Sequence, residues 1–214
     1  KKLFEIVSNP EFLREGEAIR DFRFPDRIVV GTNNKKVLKK IKTLYEPLIK
    51  KGAIFFSTNR RGAEIIKYAS NAFLATKIAY INEIGNLCEK TNVNIEEVSL
   101  GIGLDKRIGS RFLRVGPAYG GSCFPKDTKA ITITGNKFNI DLSIIKSVIK
   151  SNNNRRNLLT NRTKKILSNK IVSAPAANAS RSCSKFWTSI STDLPGINVR
   201  AVEIISDIPP KVAM

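Results

Sequence analysis

The stretch from about Asn59 to Lys90 constrains this chain more than any other. Ile66, Phe73, Leu74, Ile78, Ile81, Ile84 and Leu87–Cys88 fall mainly three and four residues apart. That spacing places side chains on one face of an α-helix. Ala63, Ala69, Ala72, Ala75 and Ala79 interleave with them, small enough to let a second helix come close. The spacing predicts one long helix, with Ser57 and Thr58 offered as N-caps. Such a helix serves either as a spine and dimer interface or as an ordinary core helix, and the pattern is compatible with both.

The flanks say what this helix is attached to. Leu3–Val7 and Arg27–Val30 read as buried strands, the second ended by Gly31, with Ser8-Asn9-Pro10 as a turn between them. Val37–Tyr45 has helical spacing, and Ala53–Phe56 reads as a third strand. Strand, helix, strand at this spacing predicts the rear part of an α/β domain with a parallel sheet. Beyond the long helix, Asn94–Ile102 predicts a short amphipathic helix, followed by an irregular stretch rich in Gly and Arg over 105–124. Pro125 is expected to open another helix that Gly135 ends. Asp141 and Ser143 lead into a helix through about Lys150. No acidic residue occurs from Leu142 to Thr192, and after Ile171 the periodicity fades.

Composition removes several classes. There is no histidine, which excludes His-based triads and most zinc sites; no bound metal is expected. Cys88, Cys123 and Cys183 form an odd, sparse set, which argues against a disulfide framework and for a reducing, cytoplasmic setting. No apolar run is long enough for a membrane span and no secretory leader opens the chain, so no membrane partner is expected. The missing initiator Met places the expected start upstream. The formal net charge of +19 fits nucleic acid or an anionic ligand. The abundance of Lys, Ile and Asn makes a coding bias toward those residues the better reading. Aromatics do not interleave with the basic run 146–170, so nucleic acid is not expected as a partner.

Three clusters carry chemistry. In Tyr119-Gly120-Gly121-Ser122-Cys123-Phe124-Pro125-Lys126-Asp127, two glycines allow a tight bend. Cys123 then stands before a helix whose dipole, with Lys126, favours a thiolate nucleophile. A small buried Cys in a tight turn is the plainer alternative. Lys67 and Asn71 are four apart on the long helix and share a face, either lining a cleft or lying on the surface. Glu11 and Glu15 are also four apart, just past a strand end, where α/β folds bind ligands.

In this order and spacing the clusters resemble the UDP-glucose/GDP-mannose dehydrogenase family. Residues 8–31 are similar to the end of its NAD-binding domain. Lys67–Ala75 resembles its central-helix motif. Gly103–Gly109 and the run from Gly120 to Asp127 resemble its substrate loop and nucleophile, in a form that favours the UDP-glucose branch. The likeness covers about residues 1–160. It implies an α/β fold in which residues 1–58 are the rear part of a Rossmann-like NAD-binding domain. Residues 59–160 are an all-α central dimerisation domain with a long spine helix, and 161–214 an irregular tail.

The resemblance also implies a function: oxidation of the primary alcohol of UDP-glucose to a carboxylate, with NAD as cofactor and a homodimer as the working form. It makes Cys123 the nucleophile and Lys67 the group beside the developing alkoxide. Asn71 holds oxygen or water, and Asp127 and Glu11 serve thioester hydrolysis. Phe12, Leu13, Arg14 and Glu15 line the sugar–cofactor junction, with Glu15 and Lys126 near NAD. Phe112, Leu113, Arg114, Val115 and Gly116 wrap the sugar nucleotide, Gly120 lets it approach the backbone, and Arg107 reaches a neighbouring subunit's site. Two departures stand beside it. No G-x-G-x-x-G run occurs, so the front of the NAD-binding domain is expected to be missing and turnover impaired. Past Lys170 the family's C-terminal motifs are absent, as a shifted reading frame would leave them. Dehydrogenation of UDP-N-acetylmannosamine or GDP-mannose, or a catalytically dead dimerising remnant, are the alternatives.

Overall fold

A computed structural model describes residues 4–173. The expectations for Leu3, Cys183 and the tail beyond Ser173 lie outside the described residues. The order is α1 (Ala18–Arg23), β1 (Arg27–Gly31), α2 (Lys35–Leu44), α3 (Glu46–Ile49), β2 (Ile54–Thr58), α4 (Arg60–Thr91), α5 (Ile95–Gly103), α6 (Cys123–Lys137) and α7 (Ser143–Ser173). The class is α/β: a small parallel sheet and a 32-residue helix, α4.

The chain divides into two compact units. One holds residues up to Thr76 together with Gly120–Ile149, the other Lys77–Tyr119 and the chain from Lys150 onward. In the first unit β1 and β2 pair in parallel, Arg27 opposite Ile54 through Gly31 opposite Thr58. The intervening α2 and α3 make the crossover that parallel strands require. Ile28, Val30 and Ala53 form a core against Leu38, Ile41, Tyr45, Leu48 and Ile49. Alternation along β1 puts Ile28 and Val30 toward that layer. Val29 is also buried, so β1 reads as a continuous apolar run, as strands covered on both faces do. Asn34 caps α2 by accepting from the N–H groups of Lys36 and Val37. In the second unit Asn94 caps α5 through the Glu96 N–H.

Several expectations are corrected. Residues 4–7 form no strand: only Ser8 pairs, in an antiparallel bridge to Gly31, and Phe4 and Ile6 are exposed. Alternation alone does not make a strand where no partner meets the backbone groups. Ser57 and Thr58 end β2 rather than capping α4. Asn59 accepts from the Gly62 N–H at 2.7 Å in their place. Helix α6 begins at Cys123, two residues before Pro125, and runs past Gly135 to Lys137. Gly135 is there for closeness, since a Cβ would stand 2.8 Å from the Ile140 carbonyl oxygen. Helix α7 extends well beyond Lys150. Helix α1 had no apolar periodicity to announce it. It is held by Arg14, whose backbone and guanidinium N–H groups donate to Asp21. Among the described residues no helix is long and apolar enough to cross a membrane.

Gly31 joins these parts. Its N–H and C=O both pair with Ser8, at 2.7 and 3.0 Å. A Cβ on it would lie 2.7 Å from the Ala63 Cβ and 2.8 Å from the Arg60 Cα. Both are fixed atoms at the start of α4, so neither can swing aside. Gly31→Ala is therefore expected to destabilise the chain by about 1–3 kcal/mol, read as a lower urea midpoint. An unchanged midpoint would contradict this packing.

Candidate active site

The first unit gathers the residues singled out near Glu11, Lys67, Asn71 and Cys123. Lys67 and Asn71 lie one turn apart on α4, and Cys123 and Asp127 one turn apart on α6. Asn71 Nδ2 donates to Asp127 Oδ2 at 2.6 Å, joining residues 56 positions apart. Asp127 is 1% exposed and Asn71 8%. The second Asp127 oxygen accepts from Lys126 Nζ at 2.7 Å. A carboxylate taken this far out of water persists only when its oxygens are met by donors, and here each has one.

Lys67 makes the second link. Its Nζ donates to the Glu11 carbonyl oxygen at 2.5 Å and to Glu11 Oε1 at 3.0 Å. The other Glu11 carboxylate oxygen accepts from the Leu13 N–H at 2.8 Å. Partial burial pushes the Glu11 carboxyl up, but the Leu13 N–H and Lys67 outweigh it and hold it below the usual glutamate value. The nearby Asp127 charge opposes them weakly. Phe12 sits under two cations: the Arg27 guanidinium 4.1 Å from its ring centroid and Lys67 Nζ at 5.3 Å. Sequence reading had not singled out Arg27.

Cys123 is the first residue of α6, preceded by Gly121 at φ +71°, a conformation glycine adopts without steric cost. Its thiol is partly exposed, and Ser122 Oγ lies 3.7 Å from Sγ. No side chain caps α6, so the positive end of the helix dipole is left to act on Cys123. Lys126 is held cationic above its ordinary value, first by its bond to Asp127 and also by the Cys123 sulfur when ionised. The Glu15 carboxylate comes close to Gly121, where one oxygen would lie 3.2 Å from an added Cβ. Gly120 faces open space. Arg14 spends its guanidinium on Asp21 and Glu17. Its bond is the main reason Asp21 is pulled down to about 2.

The remaining candidates, Arg107 and residues 112–116, belong to the second unit. Arg107 is exposed and pairs with Asp105 at 2.6 Å. Phe112 has φ +66°, and the buried Leu113 accepts from Ser99 Oγ. Arg114 is exposed. Val115 packs on Gly85, where a Cβ would stand 2.8 Å from it. Gly116 is held through both its backbone groups, by Asn82 and Arg155. Neither partner was singled out in the sequence. The one sign of Asn82 there is an amide within the apolar face of α4.

Two descriptions of known domains match. The NAD binding domain of the UDP-glucose/GDP-mannose dehydrogenase family matches residues 1–49, and that family's central domain matches residues 61–154. The UDP-glucose 6-dehydrogenase of Rickettsia typhi is 57% identical over 149 residues, 70% of this chain and 34% of that protein. UDP-glucose 6-dehydrogenase YwqF of Bacillus subtilis is 52% identical over 157 residues, 73% of this chain and 35% of that one. The solved structure of a UDP-glucose dehydrogenase from the archaeon Pyrobaculum islandicum superposes with a TM-score of 0.66 at 42% identity, over 69% of this chain and 33% of that one. The chain thus spans about a third of the length of the relatives it matches.

Two outcomes follow from the geometry. Cys123 is partly exposed at a helix start and Cys88 is buried, so iodoacetamide is expected to label Cys123 at least about tenfold faster at neutral pH. Peptide mass spectrometry reads both, and equal rates would contradict the arrangement. Because Glu11 is depressed, its contribution to stability is full above the ordinary glutamate value of 4.5 and fades as pH falls through the folded one. Replacing Lys67 with Met should therefore flatten the acid side of the stability profile and leave the alkaline side alone. An acid limb as steep as in the parent chain would refute the pair.

Proposed function

This chain belongs to the UDP-glucose/GDP-mannose dehydrogenase family, and on that premise we propose that it is the catalytic middle of an NAD-dependent UDP-glucose 6-dehydrogenase. The observation that carries the reading is the linked set Glu11–Lys67 and Asn71–Asp127–Lys126, with Cys123 one turn before Asp127. The relatives named above are UDP-glucose dehydrogenases, which favours UDP-glucose over other nucleotide sugars.

The residues suit that chemistry. The substrate's C6 alcohol is oxidised first to an aldehyde. Cys123 Sγ attacks the aldehyde carbon and forms a C–S bond, and Lys67 and Asn71 hold the oxygen that gains charge. Loss of a second hydride leaves a thioester on Cys123. Water, held and deprotonated by Asp127 or Glu11, then breaks the C–S bond to give the carboxylate and free the thiolate. Residues 12–15 and 112–116, with Gly120 and Arg107, complete the sugar-nucleotide surface in this reading.

When bound, NAD would supply the hydride acceptor for both oxidations. The side chains assigned to it fit in charge. Lys126 is exposed and held cationic, suited to phosphate oxygens, and the exposed Glu15 carboxylate is an acceptor for ribose hydroxyls. The proposal further includes a homodimer through α4, where Tyr80 and Leu87 stand exposed seven residues apart. It places the protein in the cytoplasm, supplying a uronic acid donor for polysaccharide synthesis.

The test follows NADH at 340 nm with UDP-glucose and NAD. Cys123→Ser should lower turnover by a factor on the order of 10³ or more. Asp127→Asn should let a mass-detectable acyl adduct accumulate on Cys123. Wild-type turnover in the Cys123→Ser chain would overturn the assignment.

A further inference from the structure

The loop from Leu113 to Tyr119 is held in a way that its own sequence does not require. Gly116 donates its N–H to Asn82 Oδ1 at 2.8 Å and offers its C=O to Arg155 Nε at 3.1 Å. Tyr119 is bracketed likewise: its N–H donates to Asn152 Oδ1 at 2.8 Å, and its C=O accepts from Asn152 Nδ2 at 3.0 Å. Ser99 Oγ takes the Leu113 carbonyl. Five side-chain bonds from α4, α5 and α7 thus fix the backbone of three residues in one short segment.

The clamp residues are themselves built in. Asn82 is 2% exposed and Asn152 6%. Arg155 is half buried, and burial lowers its guanidinium pKa. A second Arg155 nitrogen donates to Asn86 Oδ1, which fixes the plane of the guanidinium. The backbone they hold is strained. Phe112 sits at φ +66° and Ala118 at φ +151°, conformations that side chains bearing a Cβ rarely adopt and that cost about 1–3 kcal/mol each. Such conformations persist only where the surroundings over-determine them.

Small loops that only connect helices do not need a half-buried arginine and two buried amides. A loop that must present its backbone in one shape to a ligand does, because ordering it in advance removes an entropic cost from binding. We propose that Arg155, Asn82 and Asn152 are positioning residues that set the 113–119 loop in its ligand-binding shape before the nucleotide sugar arrives, with Arg155 as the central member. The inference rests on the assignment of residues 112–116 to the sugar nucleotide. None of the three is among the residues that the resemblance assigns to the sugar nucleotide or the reaction.

The probe is UDP, titrated into the full chain, with the amide exchange of Gly116 and Tyr119 followed by NMR. Arg155→Met and Asn82→Ala should each raise the UDP Kd about tenfold or more and speed exchange at Gly116. In turnover they should raise the UDP-glucose KM with a smaller change in kcat and none in the NAD KM. Labelling of Cys123 at the wild-type rate certifies that the first unit is intact. Should Arg155→Met not fold, Arg155→Lys keeps the stem and charge but not the planar pair of donors, and the same loss is expected. Wild-type UDP affinity in variants whose Gly116 amide exchanges faster would overturn the clamp's role. Failure of the unmodified chain to bind UDP would instead remove the substrate-loop reading on which it rests.

Discussion

A single buried hydrogen bond, from Asn71 to Asp127, organises the first unit. Asp127 is 1% exposed, and an unpartnered carboxylate there would cost several kcal/mol. Asn71 meets one oxygen and Lys126 the other. The same bond fastens the face of α4 that carries Lys67 to the face of α6 that carries Cys123. Lys67 and Cys123 each lie one helical turn before a partner in the bond, so the pair fixes where both side chains stand.

The charges near this bond hold Lys126 and Glu11 in their charged forms. Lys126 is raised above its ordinary value first by its bond to the Asp127 carboxylate and also by the Cys123 sulfur when ionised, so it remains a cation. Glu11 is held ionised against its own burial by Leu13 and Lys67. In the second unit the same device recurs with neutral groups. Buried amides of Asn82 and Asn152 replace water as partners of the backbone and hold a strained loop. In both units polar groups are buried in fully partnered sets, the condition under which burial rigidifies rather than destabilises.

Much of this was legible in the residues. β1, α2, β2, α4 and α5 follow from periodicity within a residue or two, and the parallel pairing follows from a strand–helix–strand order. What escaped depends on contacts distant in sequence. The segment Ser151–Asn157 has no apolar period, yet α7 continues through it because Asn152 and Arg155 are bonded to residues more than 30 positions away. Helix α1 rests on the Arg14–Asp21 clamp rather than on an apolar face. Phe4–Val7 has a strand's alternation and no neighbour to pair with. Within the site, the spacing of Lys67 and Asn71 showed a shared face. Nothing in the spacing showed that Asp127 would receive the amide across 56 residues.

The most direct test of this account is a double-mutant cycle on the Asn71–Asp127 pair, using Asn71→Leu, Asp127→Leu and the double variant, with unfolding free energy from urea titration as the readout. Each single change leaves a buried polar partner unmet, and the double change removes both. The account predicts a coupling of about 1–3 kcal/mol, with the double variant far less destabilised than the sum of the singles. Additivity within roughly 0.5 kcal/mol would show that the two residues do not depend on each other, and the organising role given to their bond would be wrong.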